Sequence, residues 1–222
     1  MSQDQWTAVD RYLTDLLVPP DPVLDAALAA SVKAGLPPIN VSPNQGKLLH
    51  LLARMHGAKN ILEIGTLGGY STIWLARALP QDGKIVTLEF DPKHADVAKA
   101  NFKLAGIEKI VDLRLGRAIE TLPKLAAENR GPFDLIFIDA DKPSNPDYFA
   151  WALKLSKHGS VIIVDNVIRS GGVIDAESND AAIQGTRKFL SQLAAETRVT
   201  ATAIQTVGSK GYDGFAIAIV GE

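Results

Sequence analysis

Hydrophobic residues along this chain occur in two patterns, short continuous runs and longer runs at helical spacing. The continuous runs predict strands at 60–64, 83–89, 110–115, 133–139, 160–165, 199–207 and 215–220. The helically spaced runs predict helices at 43–55, 71–79, 92–105, 118–129, 146–157 and 180–197. Two further apolar stripes within residues 3–35 predict a pair of helices before the first strand.

Five units in which a strand precedes a helix predict a parallel sheet with helices on both faces, because the strands are mostly apolar. Only the Gly-rich segment 208–214 separates the last two strands, and so short a link joins antiparallel neighbours. The predicted fold is therefore a doubly wound α/β sheet with an antiparallel last strand. We expect a single domain over residues 1–222, in which 1–40 form an N-terminal helical extension.

Composition and charge exclude several classes of function. The net charge is −2 without a long basic run, which gives no support for a nucleic-acid partner. The chain has no cysteine, so disulfides and zinc–thiolate sites are excluded. No apolar run reaches the ~20 residues of a membrane span, and the N-terminus lacks the pattern of a signal peptide. We expect a soluble, cytoplasmic protein.

The segment from Asn60 to Leu79 predicts a ligand-binding turn between a strand and a helix. Its glycines, including Gly65 and Gly69, do not have the Gly-x-Gly-x-x-Gly spacing of a dinucleotide site. Glu63 precedes the turn, and its carboxylate suits the ammonium group of S-adenosylmethionine better than a pyrophosphate. A nicotinamide-dependent oxidoreductase is therefore disfavoured. The alternative is that Glu63 is a solvated strand-end residue and that the glycines only form a turn.

Other polar side chains end the neighbouring strands, where ligands bind in open α/β sheets. Glu89 lies 24 residues after Gly65 and suits the ribose diol of an adenosine ligand. Asp139, Asp165 and Asn166 offer only oxygen ligands, which Mg²⁺, Mn²⁺ or Ca²⁺ prefer. These residues could instead be strand-end charges, helix caps or turn formers.

Lys142 follows Asp139 by three residues. A divalent cation nearby disfavours the charged form of a lysine, and a neutral amine can take a proton from a substrate hydroxyl. Alternatively, Lys142 only pairs with Asp139 or Asp141.

With these motifs, the chain closely resembles the cation-dependent O-methyltransferases, which include catechol and caffeoyl-CoA O-methyltransferases and their bacterial relatives. The resemblance runs from about Val9 to the 215–220 strand, through the motifs at 40–43, 62–71, 137–142 and 164–167. It implies a seven-stranded Rossmann-like sheet, S-adenosylmethionine as methyl donor and usually Mg²⁺. By motif, the implied cofactor contacts are Val41, Glu63, Gly65, Thr66, Gly69, Ser71, Glu89, Ala118 and Asp139.

The same resemblance implies roles for the polar strand ends. Asp139, Asp165 and Asn166 are the expected metal ligands, and Lys142 is the expected general base, with Asp139 also at the catalytic centre. The acceptor is expected to be a catechol-like or hydroxycinnamoyl-type aromatic compound with vicinal hydroxyls. Relatives shape the acceptor pocket with the segments that correspond to 168–175 and to Tyr212. A homodimer is also expected. A non-catalytic cofactor-binding module is the remaining alternative, and the presence of all four metal and base residues disfavours it.

Overall fold

A computed structural model describes residues 2–221 and contains a seven-stranded sheet. In chain order, its strands are β1 (Asn60–Ile64), β2 (Lys84–Glu89), β3 (Val111–Leu115), β4 (Phe133–Ile138), β5 (Ser156–Asp165), β6 (Val199–Gly208) and β7 (Gly211–Val220). The helices are α1 (Gln3–Leu17), α2 (Pro22–Lys33), α3 (Pro43–His56), α4 (Tyr70–Ala76), α5 (Pro92–Leu104), α6 (Ala118–Ala127), α7 (Asn145–Lys154) and α8 (Ala181–Ala195).

The order of strands across the sheet is β3-β2-β1-β4-β5-β7-β6. Strands β1 to β5 are paired in parallel, and β7 is antiparallel to both of its neighbours, β5 and β6. The predicted doubly wound sheet with an antiparallel last strand is therefore confirmed. From β1 the chain continues through β2 and β3 towards one edge of the sheet, and from β4 it continues through β5 towards the other edge. The carboxyl ends of the adjacent strands β1 and β4 therefore flank the crevice in which such folds bind ligands.

Apolar side chains cover both faces of the sheet. Alternate strand residues point to opposite faces, so Ile61 packs with α2 to α5 while Leu62 packs with α6 to α8. This two-sided burial explains why the central strands are nearly continuous apolar runs rather than alternating ones. Helix α1 differs, because none of its residues is buried.

Two strands, β5 and β7, begin four residues earlier than predicted. Residues 156 and 157, predicted at the end of a helix, belong to β5 because α7 ends at Lys154 and Ser156 pairs with Phe133 of β4. The segment 208–214 was predicted as a connection, but β6 and β7 remain paired as far as Gly208 and Gly211. Cross-strand pairing thus overrides the weak strand propensity of glycine here.

Local signals placed several helix ends correctly. The Ser42 hydroxyl accepts a hydrogen bond from the backbone N–H of Gln45 and caps α3, as its position before Pro43 predicts. Within residues 2–221, no helix has the length and apolar character needed to cross a membrane.

Candidate active site

A cavity of about 680 Å³ opens at the carboxyl ends of β1, β2, β4 and β5. It is bounded by the turn after β1, the ends of β2 and β4, the start of α6 and the segment after β5. Nine of the residues predicted to form a site line its wall: Val41, Gly65, Thr66, Ser71, Glu89, Ala118, Asp139, Lys142 and Asn166. Glu63, Gly69 and Asp165 are absent from the described wall.

The glycines of the first turn allow the chain to pass close to its neighbours. Gly65 has a φ of 102°, and a Cβ atom there would lie 2.2 Å from the carbonyl oxygen of Asp139. Gly69 has a φ of 82°, and its Cβ would lie 2.4 Å from Cε1 of Phe102. Both positions exclude side chains, since these distances are below van der Waals contact. Gly65 therefore brings the ends of β1 and β4 together at the cavity, whereas Gly69 seats the turn against α5.

Glu63 is completely buried behind the cavity wall. Its carboxylate accepts hydrogen bonds from Ser71 Oγ at 2.7 Å, from Thr87 Oγ1 at 2.7 Å, and from the hydroxyl of Thr72. Burial raises the pKa of Glu63 to about 7, against the opposing effect of these hydroxyl donors. The hydrogen bond from Ser71 connects Glu63 to the cavity, because Ser71 lines the cavity wall. Direct contact with a methyl donor stays a prediction.

Glu89 presents its carboxylate on the wall, as its position at the end of β2 predicts. Backbone N–H groups fix both oxygens: those of Thr66 and Leu67 donate to Oε2, and those of Phe90 and Asp91 donate to Oε1, at 2.7–3.3 Å. The turn after β1 is thereby tied to the end of β2. The carboxylate has one orientation before any ligand binds.

Lys142 and Asp139 form an ion pair on the wall, where Lys142 Nζ donates to Asp139 Oδ1 at 2.8 Å. The lysine begins a short 3₁₀ turn after β4, and only 8% of its surface is exposed. Helix α8 crosses this turn at Gly185, where a Cβ atom would lie 2.4 Å from the carbonyl oxygen of Lys142. Close packing of α8 therefore holds the backbone that carries the lysine.

The end of β5 adds the second carboxylate. Asp165 is 5% exposed, and its Oδ1 accepts the backbone N–H of Asn166 at 2.8 Å. Burial, followed by the negative charge of Asp139, raises the pKa of Asp165 to about 7. Asn166 has a left-handed φ of 58°, a conformation that asparagine tolerates better than most residues, and it lines the cavity.

The polar set of Asp139, Asp165 and Asn166 contains two carboxylates and one amide. Among residues 2–221, no group of three or more His, Cys, Asp or Glu side chains could hold a metal ion. A cation at this site would therefore depend on the Asn166 amide oxygen as well as the two carboxylates.

The segment after β5 contributes an arginine to the cavity. Arg169 lines the wall next to the Asn166 turn, and its Nε is buried without a hydrogen-bond partner. Its Nη1 lies 3.9 Å from Oδ2 of Asp213. Asp213 Oδ1 accepts the backbone N–H groups of Ile168 and Arg169, which shapes this segment. The segment predicted to shape the acceptor pocket thus contributes a positively charged side chain to the cavity.

Tyr212, the other residue predicted near the acceptor, is not in the described cavity wall. Its hydroxyl donates to the Gln205 side chain across the β6–β7 hairpin. Several further residues that line the cavity were not predicted as site residues. Asn40, Leu67, Tyr70 and Asp141 lie within the recognised motifs, and Arg169 lies in the segment expected near the acceptor, but none was singled out. No local motif indicated Ile39, Phe90, His94, Ile119, Ser144 or Tyr148.

Known proteins share both the sequence and the fold of this chain. Catechol O-methyltransferase from Niastella koreensis is 55% identical over 220 residues, which cover 99% of this chain and all of that protein. The O-methyltransferase from Bacillus cereus, solved in complex with SAH, has a TM-score of 0.98 and 56% identity, covering 99% of this chain and 100% of that one. The Streptomyces achromogenes O-methyltransferase involved in tomaymycin synthesis, solved in complex with SAM, has a TM-score of 0.97 and 51% identity, with all of both chains covered.

The match to a family model agrees with these similarities. Residues 19–216 match the model described as O-methyltransferase, and this range includes every predicted site residue. The resemblance inferred from the sequence motifs is therefore confirmed. The chain belongs to the O-methyltransferase family.

Proposed function

We propose that this protein transfers a methyl group from S-adenosylmethionine to a hydroxyl of a catechol-like or hydroxycinnamoyl-type acceptor, with a divalent cation in the site. One observation carries the proposal: the Lys142–Asp139 pair, with Nζ and Oδ1 at 2.8 Å, lies in the same cavity as the Gly65 turn. The proposed general base and the turn that is proposed to bind the cofactor thus line the same cavity.

The methyl donor is supported by the wall of the cavity and by the relatives. The side chains or backbone of Val41, Gly65, Thr66, Ser71 and Ala118 line this space, as the family motifs imply. The Glu89 carboxylate lies on the same wall and suits the two ribose hydroxyls of an adenosine. Relatives that are 56% and 51% identical were solved with SAH and SAM, respectively.

The residues at the ends of β4 and β5 fit a hard divalent cation. Asp139, Asp165 and Asn166 would hold it, because they offer oxygen ligands alone, which Mg²⁺, Mn²⁺ and Ca²⁺ prefer. Lys142 is within hydrogen-bonding distance of Asp139 and forms no such bond with Asp165 among the described contacts. Two carboxylates thus face one ammonium group, and a divalent cation would compensate the remaining negative charge.

When bound, S-adenosylmethionine supplies an electrophilic methyl group, and the cation supplies positive charge that acidifies the acceptor hydroxyls. Lys142 would act as a base only after its ammonium group has released one proton to solvent. The lone pair of the neutral Nζ would then accept the proton of one acceptor hydroxyl, while a remaining N–H of the amine keeps the bond to Asp139. The packing of Gly185 against the Lys142 backbone holds the turn that carries this amine. The remaining rate enhancement would come from the positioning of the methyl donor and the acceptor in one cavity.

The proposed acceptor class has two supports. A relative that is 55% identical over 99% of this chain is named catechol O-methyltransferase. The three oxygen ligands suit a cation that vicinal hydroxyls could share, and Arg169 adds a positive charge to the same cavity. An acceptor that carries a carboxylate, such as caffeate, therefore suits this space.

A methyl-transfer assay with a chelator tests the proposal. Labelled S-adenosylmethionine and caffeate are incubated with the protein in Mg²⁺, in excess EDTA, and in EDTA followed by excess Mg²⁺. We expect transfer, loss of transfer, and recovery. Unchanged transfer in EDTA would remove the cation from the mechanism. Binding of S-adenosylmethionine without transfer to any catechol would favour a non-catalytic module, and binding of NADPH in its place would favour an oxidoreductase.

We also propose that a second copy of the chain covers the exposed apolar face of α1. Tyr12, Leu16 and Leu17 are each more than 60% exposed on this helix, and such patches mark contact surfaces. Sedimentation of the native chain should give a dimer, and Leu16→Asp should give a monomer. Leu104→Asp, at an exposed leucine on α5, is the matched control and should remain dimeric. A monomeric native chain would contradict the proposal.

A further inference from the structure

We propose that Gln45 is a positioning residue that fixes the Asp165 carboxylate for the divalent cation. The inference rests on the proposed function, because it assumes that a cation binds at Asp139, Asp165 and Asn166. It assigns a role to a residue that belongs to none of the strand ends. It also gives helix α3, which precedes the first strand, a role in the site.

The geometry of the contact is direct. Gln45 Nε2 donates to Asp165 Oδ2 at 2.5 Å, across 120 residues of sequence. The other oxygen, Oδ1, accepts the backbone N–H of Asn166 at 2.8 Å. Each carboxylate oxygen thus has one donor, and a carboxylate oxygen can accept more than one partner. The remaining lone pairs are free to face a cation in a defined plane.

The Gln45 amide is itself held in place by its helix. Gln45 is the third residue of α3, and its backbone N–H donates to the capping hydroxyl of Ser42 at 3.2 Å. The next residue, Gly46, packs against the indole of Trp74 on α4, where a Cβ atom would lie 2.3 Å from Cδ1. This close approach sets the distance between α3 and α4. The amide is therefore positioned before a cation arrives.

Within the described part of the chain, Gln45 is the only side chain that donates a hydrogen bond to Asp165. Lys142, whose positive charge acts on Asp165, donates its hydrogen bond to Asp139. Without Gln45, the backbone N–H of Asn166 would be the one hydrogen-bond donor left to restrain the terminal torsion of Asp165, which is broad for aspartate. Partners that orient metal ligands typically change metal affinity by about 10-fold to 100-fold when they are removed.

The test compares metal binding with cofactor binding in the full chain. Gln45→Met keeps the length of the side chain and removes the donor. Gln184→Met is the matched control, because Gln184 also lies in the first turn of a helix. This glutamine is exposed, and its side chain donates a hydrogen bond to the backbone carbonyl of Ser178 at 2.8 Å. Mn²⁺ is titrated into each protein and the free ion is followed by its EPR signal. Binding of S-adenosylmethionine without metal is measured by calorimetry.

We expect Mn²⁺ to bind Gln45→Met about 10-fold to 100-fold more weakly than the native chain, with unchanged cofactor affinity. Gln184→Met should match the native chain in both. Equal Mn²⁺ affinity in the native chain and Gln45→Met would overturn the inference, even if the melting temperature falls, because Gln45 would then only tie α3 to the sheet. If the native chain itself binds no Mn²⁺, the proposed metal dependence fails first, and the inference fails with it.

Discussion

Replacement of Glu63 by Gln offers a direct test of the buried carboxylate behind the cavity. The variant keeps the shape of the side chain. Its amide oxygen can replace Oε2, which accepts from Thr72 and Thr87, and its amide nitrogen, in the place of Oε1, can donate to the Ser71 hydroxyl. It removes the ionisation that burial opposes. We therefore expect the variant to change how stability depends on pH rather than to unfold the protein.

The magnitude follows from the pKa of Glu63, which burial raises from 4.5 to about 7. Between these values the folded protein binds more protons than the unfolded chain, so the free energy of unfolding falls as pH rises. The contribution of Glu63 is fully present below 4.5 and is lost as pH rises through about 7. The full loss corresponds to about 3 kcal/mol. Between about pH 5.5 and about pH 8.5 the native chain should lose about 2 kcal/mol relative to Glu63→Gln.

Urea denaturation at both pH values measures this difference. The negative charge of Asp139 contributes to the raised pKa of Glu63, and a cation bound near Asp139 would offset that charge. EDTA is therefore present in all samples. Glu108→Gln, at an exposed glutamate, is the control and should follow the native profile. Parallel profiles for Glu63→Gln and the native chain would refute the reasoning, since Glu63 would then ionise equally well in both states.

Three further predictions concern the cavity. Lys142→Ala should lower turnover by about 10²-fold to 10⁴-fold while calorimetry shows little change in S-adenosylmethionine affinity; an equal loss of both would assign the lysine a structural role. Gly185→Ala should destabilise the protein by about 1–3 kcal/mol and lower turnover, because its Cβ would lie 2.4 Å from the carbonyl oxygen of Lys142 and 2.6 Å from Cα of Pro143; an unchanged urea midpoint would contradict this packing. Arg169→Ala should lower kcat/KM for caffeate by about tenfold more than for uncharged catechol, since a hydrogen bond to a charged group contributes about 1.5–3 kcal/mol; an equal loss for the two acceptors would exclude a contact with the carboxylate.

Much of the site could be predicted because the relevant signals are local. The strand at 60–64 has the predicted bounds, and Gly65, Glu89, Asp139 and Asn166 line one cavity as their strand-end positions suggested. Parallel strands bring their carboxyl ends to one edge of a sheet, so residues distant in sequence converge without any knowledge of side-chain packing. The motif of the first turn and the oxygen-only ligand set then limit the chemistry.

For a buried strand residue, the sequence could not predict whether the side chain points into the cavity or away from it. The central strands are apolar on both faces, so the sequence does not reveal which face of β1 adjoins the cavity. Glu63 lies behind the cavity wall among hydroxyl groups, a placement that its position at a strand end next to a glycine turn does not specify. Its raised pKa is a consequence of this burial.

The sequence by itself determined the order of the elements, the antiparallel last strand, the glycine turn and the identity of the polar strand ends, because periodicity and turn chemistry act over a few residues. Only the tertiary structure decided which polar groups meet. Gln45 reaches Asp165 across 120 residues, and Gly185 lets α8 pack on the Lys142 turn. Such contacts depend on how helices pack on the sheet, and a pattern along one chain does not specify the distance between two faces.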